Sequence, residues 1–134
     1  AMGHKGSALG FCSGVIAGLV AVTPAAGNSG PFGAILLGAV ASIVCYFFVA
    51  KVKPALGYDD ALDAFGIHGV GGIVGAIGTA IVYAPGLGGP GGEDYDMVSQ
   101  LGVQAFASAF TIALAAVGTA IAIFIAKAVT GLRV

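Results

Sequence analysis

Tryptophan is absent from this chain of 134 residues, and charge is scarce: five Lys or Arg and six Asp or Glu make up 8% of it. A soluble domain carries about 25% charged residues, so too few are present to cover a water-facing surface. With a formal net charge of −1 there is no basic surface for a nucleic acid. Two cysteines and two histidines occur, Cys12, Cys45, His4 and His68. They lack the spacing of a metal site and are too few for a disulfide framework. What remains is apolar: 58% of the residues are hydrophobic and 24 are glycine, and the mean hydropathy is +1.04. The solvent such a chain suits is a lipid bilayer.

The charges cluster between long apolar stretches at residues 6–30, 31–50, 64–84 and 101–126. A membrane-crossing helix needs about 20 such residues, with a range of roughly 17–25. In the first stretch Pro24 removes a backbone donor and disfavours helix beyond Thr23. The pattern predicts an all-α membrane protein with four transmembrane helices, at about 7–23, 31–51, 61–84 and 98–127, within one unit spanning residues 1–134. The last run is about 39 Å long as a helix, against a hydrocarbon core of about 30 Å, so it should tilt or bury one end. The first is not a cleavable signal peptide, because three further spans come after it.

Four spans place Lys5, Lys51, Lys53, Lys127 and Arg133 on one side. The other side holds residues 24–31, without charge, and residues 85–96, with Glu93, Asp94 and Asp96 and no Lys or Arg. The positive-inside rule assigns the basic side, and both ends of the chain, to the cytoplasm of a cell membrane protein. Cys12 and Cys45 then lie toward the reducing side and are expected to be free thiols.

Helices in lipid gain little by burying apolar surface against each other, so close backbone approach matters more. Gly10, Gly14 and Gly18 on the first helix, and Gly71 and Gly75 on the third, predict a tight bundle. Asp60 is the expected cap of the third helix. Asp63 has two compatible readings: a first-turn carboxylate facing the free amides, or a bond that holds the segment to another helix. "TPAAGNSGP" at 23–31 should be a turn that dips partway into the protein, and "YAPGLGGPGGEDYD" at 83–96 a mobile loop.

Inside "AFGIHGVGG" at 64–72 stands His68, with no other ionisable group between residues 64 and 82. Counted from Asp60 it lies about 12 Å along a helix, deep in the hydrocarbon zone. A helical wheel groups it with Ala64, Phe65, Gly71, Gly72 and Gly75, mostly small residues that leave space before the imidazole. An ionisable group at such depth is a functional candidate, although a core histidine bonding across two helices is the plainer alternative. In its neutral form an imidazole carries one donor and one acceptor nitrogen, suited to a narrow path for a small polar molecule. No second ionisable group of this chain reaches the same depth.

"SALGFCSGVIAGLVAVTPAAG" at 7–27, "DDALDAFGIHGVGGIVGAI" at 59–77 and "GLRV" at 131–134 resemble the Amt/Mep/Rh ammonium transporters, and the Amt branch in particular. The specific element is the Asp-x-Phe-Gly-x-His-Gly pattern at 63–69. The resemblance implies the last four of about eleven membrane helices, arranged in two inverted halves and assembled as homotrimers with one pore per subunit. It implies that His68 is one of two pore histidines that carry ammonia, the proton, or both. It places Asp63, Ala64, Phe65, Gly69 and Gly72 beside that histidine as pore-adjacent or supporting residues. Thr23 and Pro24 match a bent segment after the family's eighth helix, whereas "NSGP" at 28–31 departs from the family's pattern.

The resemblance further implies that the other histidine and the aromatic cation site come from an N-terminal half or a complementary chain. The function expected is transport of ammonium or ammonia across a bilayer, with no covalent catalysis, cofactor, metal or nucleic acid. The alternatives are a truncated or split fragment inactive alone, or an ammonium sensor module.

Overall fold

In a computed structural model, which describes residues 7–131, every regular element is helical among the described residues. His4, Lys5 and Arg133 lie outside them. Four helices are long and apolar enough to cross a membrane: α1 (Ala8–Ala25, its last turn a tight one), α2 (Pro31–Leu56), α3 (Phe65–Val82) and α4 (Met97–Val129). The all-α, four-helix architecture expected from the apolar runs is the one observed.

Local chemistry sets the ends of the helices. The Ser7 hydroxyl oxygen accepts from the Gly10 amide at 3.0 Å and starts α1. Thr23 donates its hydroxyl to the Leu19 carbonyl at 2.8 Å, and Pro24 then tightens the chain into the turn Thr23–Ala25. Pro31, which has no amide hydrogen to leave unpaired, opens α2. Near its other end α2 widens into a π-turn over Phe48–Val52, and Gly57 stops it in the left-handed conformation.

Small residues let α1, α2 and α3 approach closely. Gly18 meets Gly38, and the Ser42 hydroxyl lies 2.9 Å from the Gly14 carbonyl and 2.8 Å from that of Gly38. Buried Ala17 and Ala21 of α1 lie against Gly71 and Gly75 of α3, where a Cβ on Gly75 would overlap the Ala21 carbonyl. Leu37 covers Gly78, and Val49 of the α2 π-turn covers Gly66. Gly14 and Gly18 therefore do serve contacts between helices, whereas the nearest neighbour of Gly10 is its own cap, Ser7.

Two expectations are corrected at the loops. α3 starts near Ala64 rather than residue 61, because Asp60 reaches forward and residues 61–63 are not helical. Residues 83–96 form a folded clasp rather than an open loop. The Tyr83 and Tyr95 rings meet at a tilt of 58° with centroids 4.9 Å apart, and the Tyr95 hydroxyl donates to the Ala80 carbonyl at 2.5 Å. Gly89 and Gly91 bond to the Ala84 and Tyr83 carbonyls, and Gly30 lies so close to Gly88 that a Cβ there would overlap its carbonyl. The two turns at this acidic end are thereby packed together.

α4 begins at an Asp96 cap, whose carboxylate accepts from the Val98 and Ser99 amides. It packs on α3 through half-buried Gln100, Leu101, Gln104 and Ser108, and is exposed from Ala109 onward. Its 33 residues make about 50 Å of helix, longer than a bilayer core is thick.

Candidate site at the start of the third helix

The segment that carries His68 is shaped by three unusual backbone features. Asp63 adopts φ 53, the left-handed region that Asp and Asn tolerate better than most residues. Directly after it, Phe65–Gly69 form a π-turn, a widened helical turn of a kind found mostly at functional positions. Opposite lies the other π-turn, Phe48–Val52, with Val49 seated on Gly66, where a Cβ would come within 2.7 Å of its Cγ2.

Side chains fasten this segment. One Asp60 carboxylate oxygen accepts from the Phe65 amide at 3.0 Å and the Gly66 amide at 3.3 Å. Asp60 is thus the cap, while Asp63 precedes the helix instead of entering its first turn. The Asp63 carboxylate accepts from Lys53 at 2.6 Å, and the same ammonium donates to the Asp60 carbonyl at 2.6 Å. Of the two readings of Asp63, the bond to another helix describes its side chain. Nearby, the Cys45 thiol is buried and points to the Ile67 carbonyl at 3.7 Å, and Cys12 is also free.

His68 itself is exposed, and no side-chain hydrogen bond ties its imidazole among the described residues. It stands about 6 Å along the helix from Ala64, where the helix begins. The wheel that grouped it with Gly71 and Gly75 is also corrected. Gly71 faces Ala17 and Val20 of α1 and Cys45 of α2, and Gly75 faces Ala21 of α1, beyond a π-turn that inserts extra backbone into the helix. Gly72 remains beside open space, and Gly69 lies against the Phe65 ring. Phe65, Gly69 and Gly72 line a groove of about 520 Å³ between α3 and α4, which is otherwise apolar except for Gln104, Ser108 and Thr111. Ala64 is exposed at the helix start. Thr23 and Pro24 are not part of this cluster: their turn packs near Val82, roughly 20 Å along α3 from His68.

The sequence reading missed Lys53 as a member of the site, since a lysine at a helix end was counted only for topology. It also missed both π-turns, which no residue type marks.

The fold defines a multi-pass helical membrane protein whose third span carries an exposed histidine on one face and helix contacts on the other. Residues 2–134 match the model of the Ammonium Transporter Family, and the chain belongs to that family. It is 50% identical over 130 residues to an ammonium transporter of Aquifex aeolicus, which covers 97% of this chain and 31% of that protein. It is 41% identical over 131 residues to the ammonium transporter Amt1 of Archaeoglobus fulgidus, covering 97% of this chain and 33% of the relative. A Bacillus subtilis ammonium transporter is 53% identical over 77 residues, covering 58% of this chain and 19% of that protein. The chain spans about a third of the length of the first two of these relatives.

Proposed function

We propose that this chain forms one wall of a pore that conducts ammonium or ammonia across a cell membrane, with His68 as its pore-lining group. The observation that carries the reading is the placement of His68. It projects from the exposed side of α3, beside the open space at Gly72, while Gly71 and Gly75 seal the other side against α1 and α2. A wall built this way presents one imidazole and little bulk to a small solute. Its donor and acceptor nitrogens can replace part of the hydration of ammonia or pass a proton. Asp63, Ala64, Phe65, Gly69 and Gly72 shape the surroundings of that group, and Thr23 and Pro24 form the bend at the far end of the span.

In this reading the opposite wall, with a second histidine and a cation-recognising aromatic site, belongs to an N-terminal half or a complementary chain. The complete unit is a homotrimer, with the basic end of this chain and both its termini in the cytoplasm. The chain acts by transport and not as an enzyme. A second reading, a fragment inactive alone, is favoured by its spanning about a third of its relatives. One experiment separates them. Ammonium-pulse currents are recorded across proteoliposomes holding this chain alone, and across others holding it with the remaining helices. Current only with the full set supports the second reading for the isolated chain. His68→Ala should then abolish most of that current, and a current equal to the parent's would sink the pore role of His68.

A further inference from the structure

Lys53 sits on α2, yet its ammonium reaches the segment that leads into α3 and bonds at both ends of the same short bend. It donates to the Asp60 carbonyl and to the Asp63 carboxylate, each at 2.6 Å. Those two residues in turn hold the amides from which the His68 turn is built. The Asp60 carboxylate accepts from Phe65 and Gly66, and the Asp63 carbonyl accepts from the Ile67 amide at 2.8 Å. The next residue is His68. Its own imidazole has no side-chain hydrogen bond among the described residues, so what the structure fixes is the backbone beneath it and the direction of its Cα–Cβ bond.

We propose that Lys53 is the positioning residue for His68, fixing through Asp60 and Asp63 the left-handed bend and the π-turn that aim the imidazole. This rests on the reading of His68 as pore-lining and adds a residue from a different helix. A role confined to stability fits less well. Lys53 and Asp63 are part-buried, 27% and 29% exposed, and an ion pair that is not fully buried adds only modestly to stability. Their geometry is nevertheless specific, because one ammonium closes a bend that contains a strained residue. The neighbouring contact of Val49 on Gly66 packs the two π-turns together but supplies no polar direction.

The test reads the imidazole directly. The chain is placed in lipid nanodiscs with ¹⁵N-labelled histidine and His4→Gln, so that His68 gives the imidazole signals. Lys53→Met should shift and broaden those signals while helix content and thermal midpoint stay near the parent's, and Lys53→Arg should restore them. Superimposable parent and Lys53→Met spectra would overturn the proposal. If Lys53→Met does not fold, Asp63→Asn decides on the same spectrum, because it keeps a residue suited to the left-handed bend and removes the ammonium's charged partner. In the assembled transporter, Lys53→Met should lower the saturating ammonium current roughly tenfold, with the half-saturating concentration unchanged. Should His68→Ala conduct as the parent does while Lys53→Met still disturbs the His68 spectrum, the pore reading falls and the positioning role stands.

Discussion

The third and fourth helices are both apolar, yet one is half buried and the other touches the bundle only near its start. Half of the residues of α3 are fully buried, against none of α4 among the described residues. The difference comes from where the small residues are used. α3 places Gly71, Gly75 and Gly78 under Ala17, Ala21 and Leu37, so neighbouring backbones and side chains fit into its surface. α4 has Gly102 and Gly118, each with open space around it, and exposes Phe106, Phe110, Leu114, Ile121 and Phe124. Hydropathy alone does not separate them; contact geometry does. A helix in lipid needs no buried face to be stable, because its backbone bonds are internal and its side chains match the solvent. It needs small residues only where another helix must come close.

That contrast can be broken most directly at its tightest point. Gly75→Leu places a side chain where the Ala21 carbonyl already sits, so α1 must move away. The expected loss is about 3 kcal/mol, near the upper end for overpacking, read as a lowered unfolding midpoint in detergent. The same change at Gly118 should stay within about 0.5 kcal/mol of the parent. Equal losses at the two sites would show that buried packing does not distinguish the helices.

A smaller effect is expected at the clasp. Tyr95→Phe removes the donor to the Ala80 carbonyl and should cost about 1 kcal/mol, seen as faster hydrogen exchange across residues 86–95. Burial of the Tyr95 hydroxyl, aided by the charges of Tyr83 and Asp96, raises its ionisation above the ordinary phenol value. The clasp's bond is therefore fully present below about pH 10 and is lost as pH rises through the raised value. The Phe variant should show no such step. The smallest change is Ser42→Ala. One hydroxyl proton is shared between the Gly14 and Gly38 carbonyls, and hydrogen bonds between membrane helices average about 0.6 kcal/mol. A thermal shift large enough to rival Gly75→Leu would mean that polar contacts, not close backbone approach, hold α1 to α2.

Much of this was legible in the residues. Four apolar runs gave four helices, because length and hydropathy are properties of a segment and need no partner. Glycine spacing pointed to close contact at Gly14, Gly18, Gly71 and Gly75, although it could not say which helix each would meet. The start of the helix that carries His68 was out of reach, because a regular helix counted from Asp60 ignores the bend at residues 61–63. The Asp60 carboxylate instead reaches five and six residues ahead, and the intervening bend is closed by a lysine from another helix. Such a bend depends on residues brought together in space, as does the pairing of Tyr83 with Tyr95. The two π-turns leave no signature in residue type, so the facing of Gly71 and Gly75, which follow the one at Phe65–Gly69, was out of reach.

The clasp at the acidic end also sets where the chain can vary in length. Between Tyr83 and Gly91 most residues, Gly86 and Pro90 excepted, are committed to a backbone bond or a close glycine contact, so an added or deleted residue there would pull Gly88 away from Gly30. From Gly92 to Asp94 the chain is exposed, and a Cβ on Gly92 meets nothing. Only the Tyr95 amide bond to the Gly92 carbonyl spans that three-residue interval, so an epitope or a fluorophore spliced in there would cost that one turn bond and leave the contacts of Gly88 and Gly30 in place.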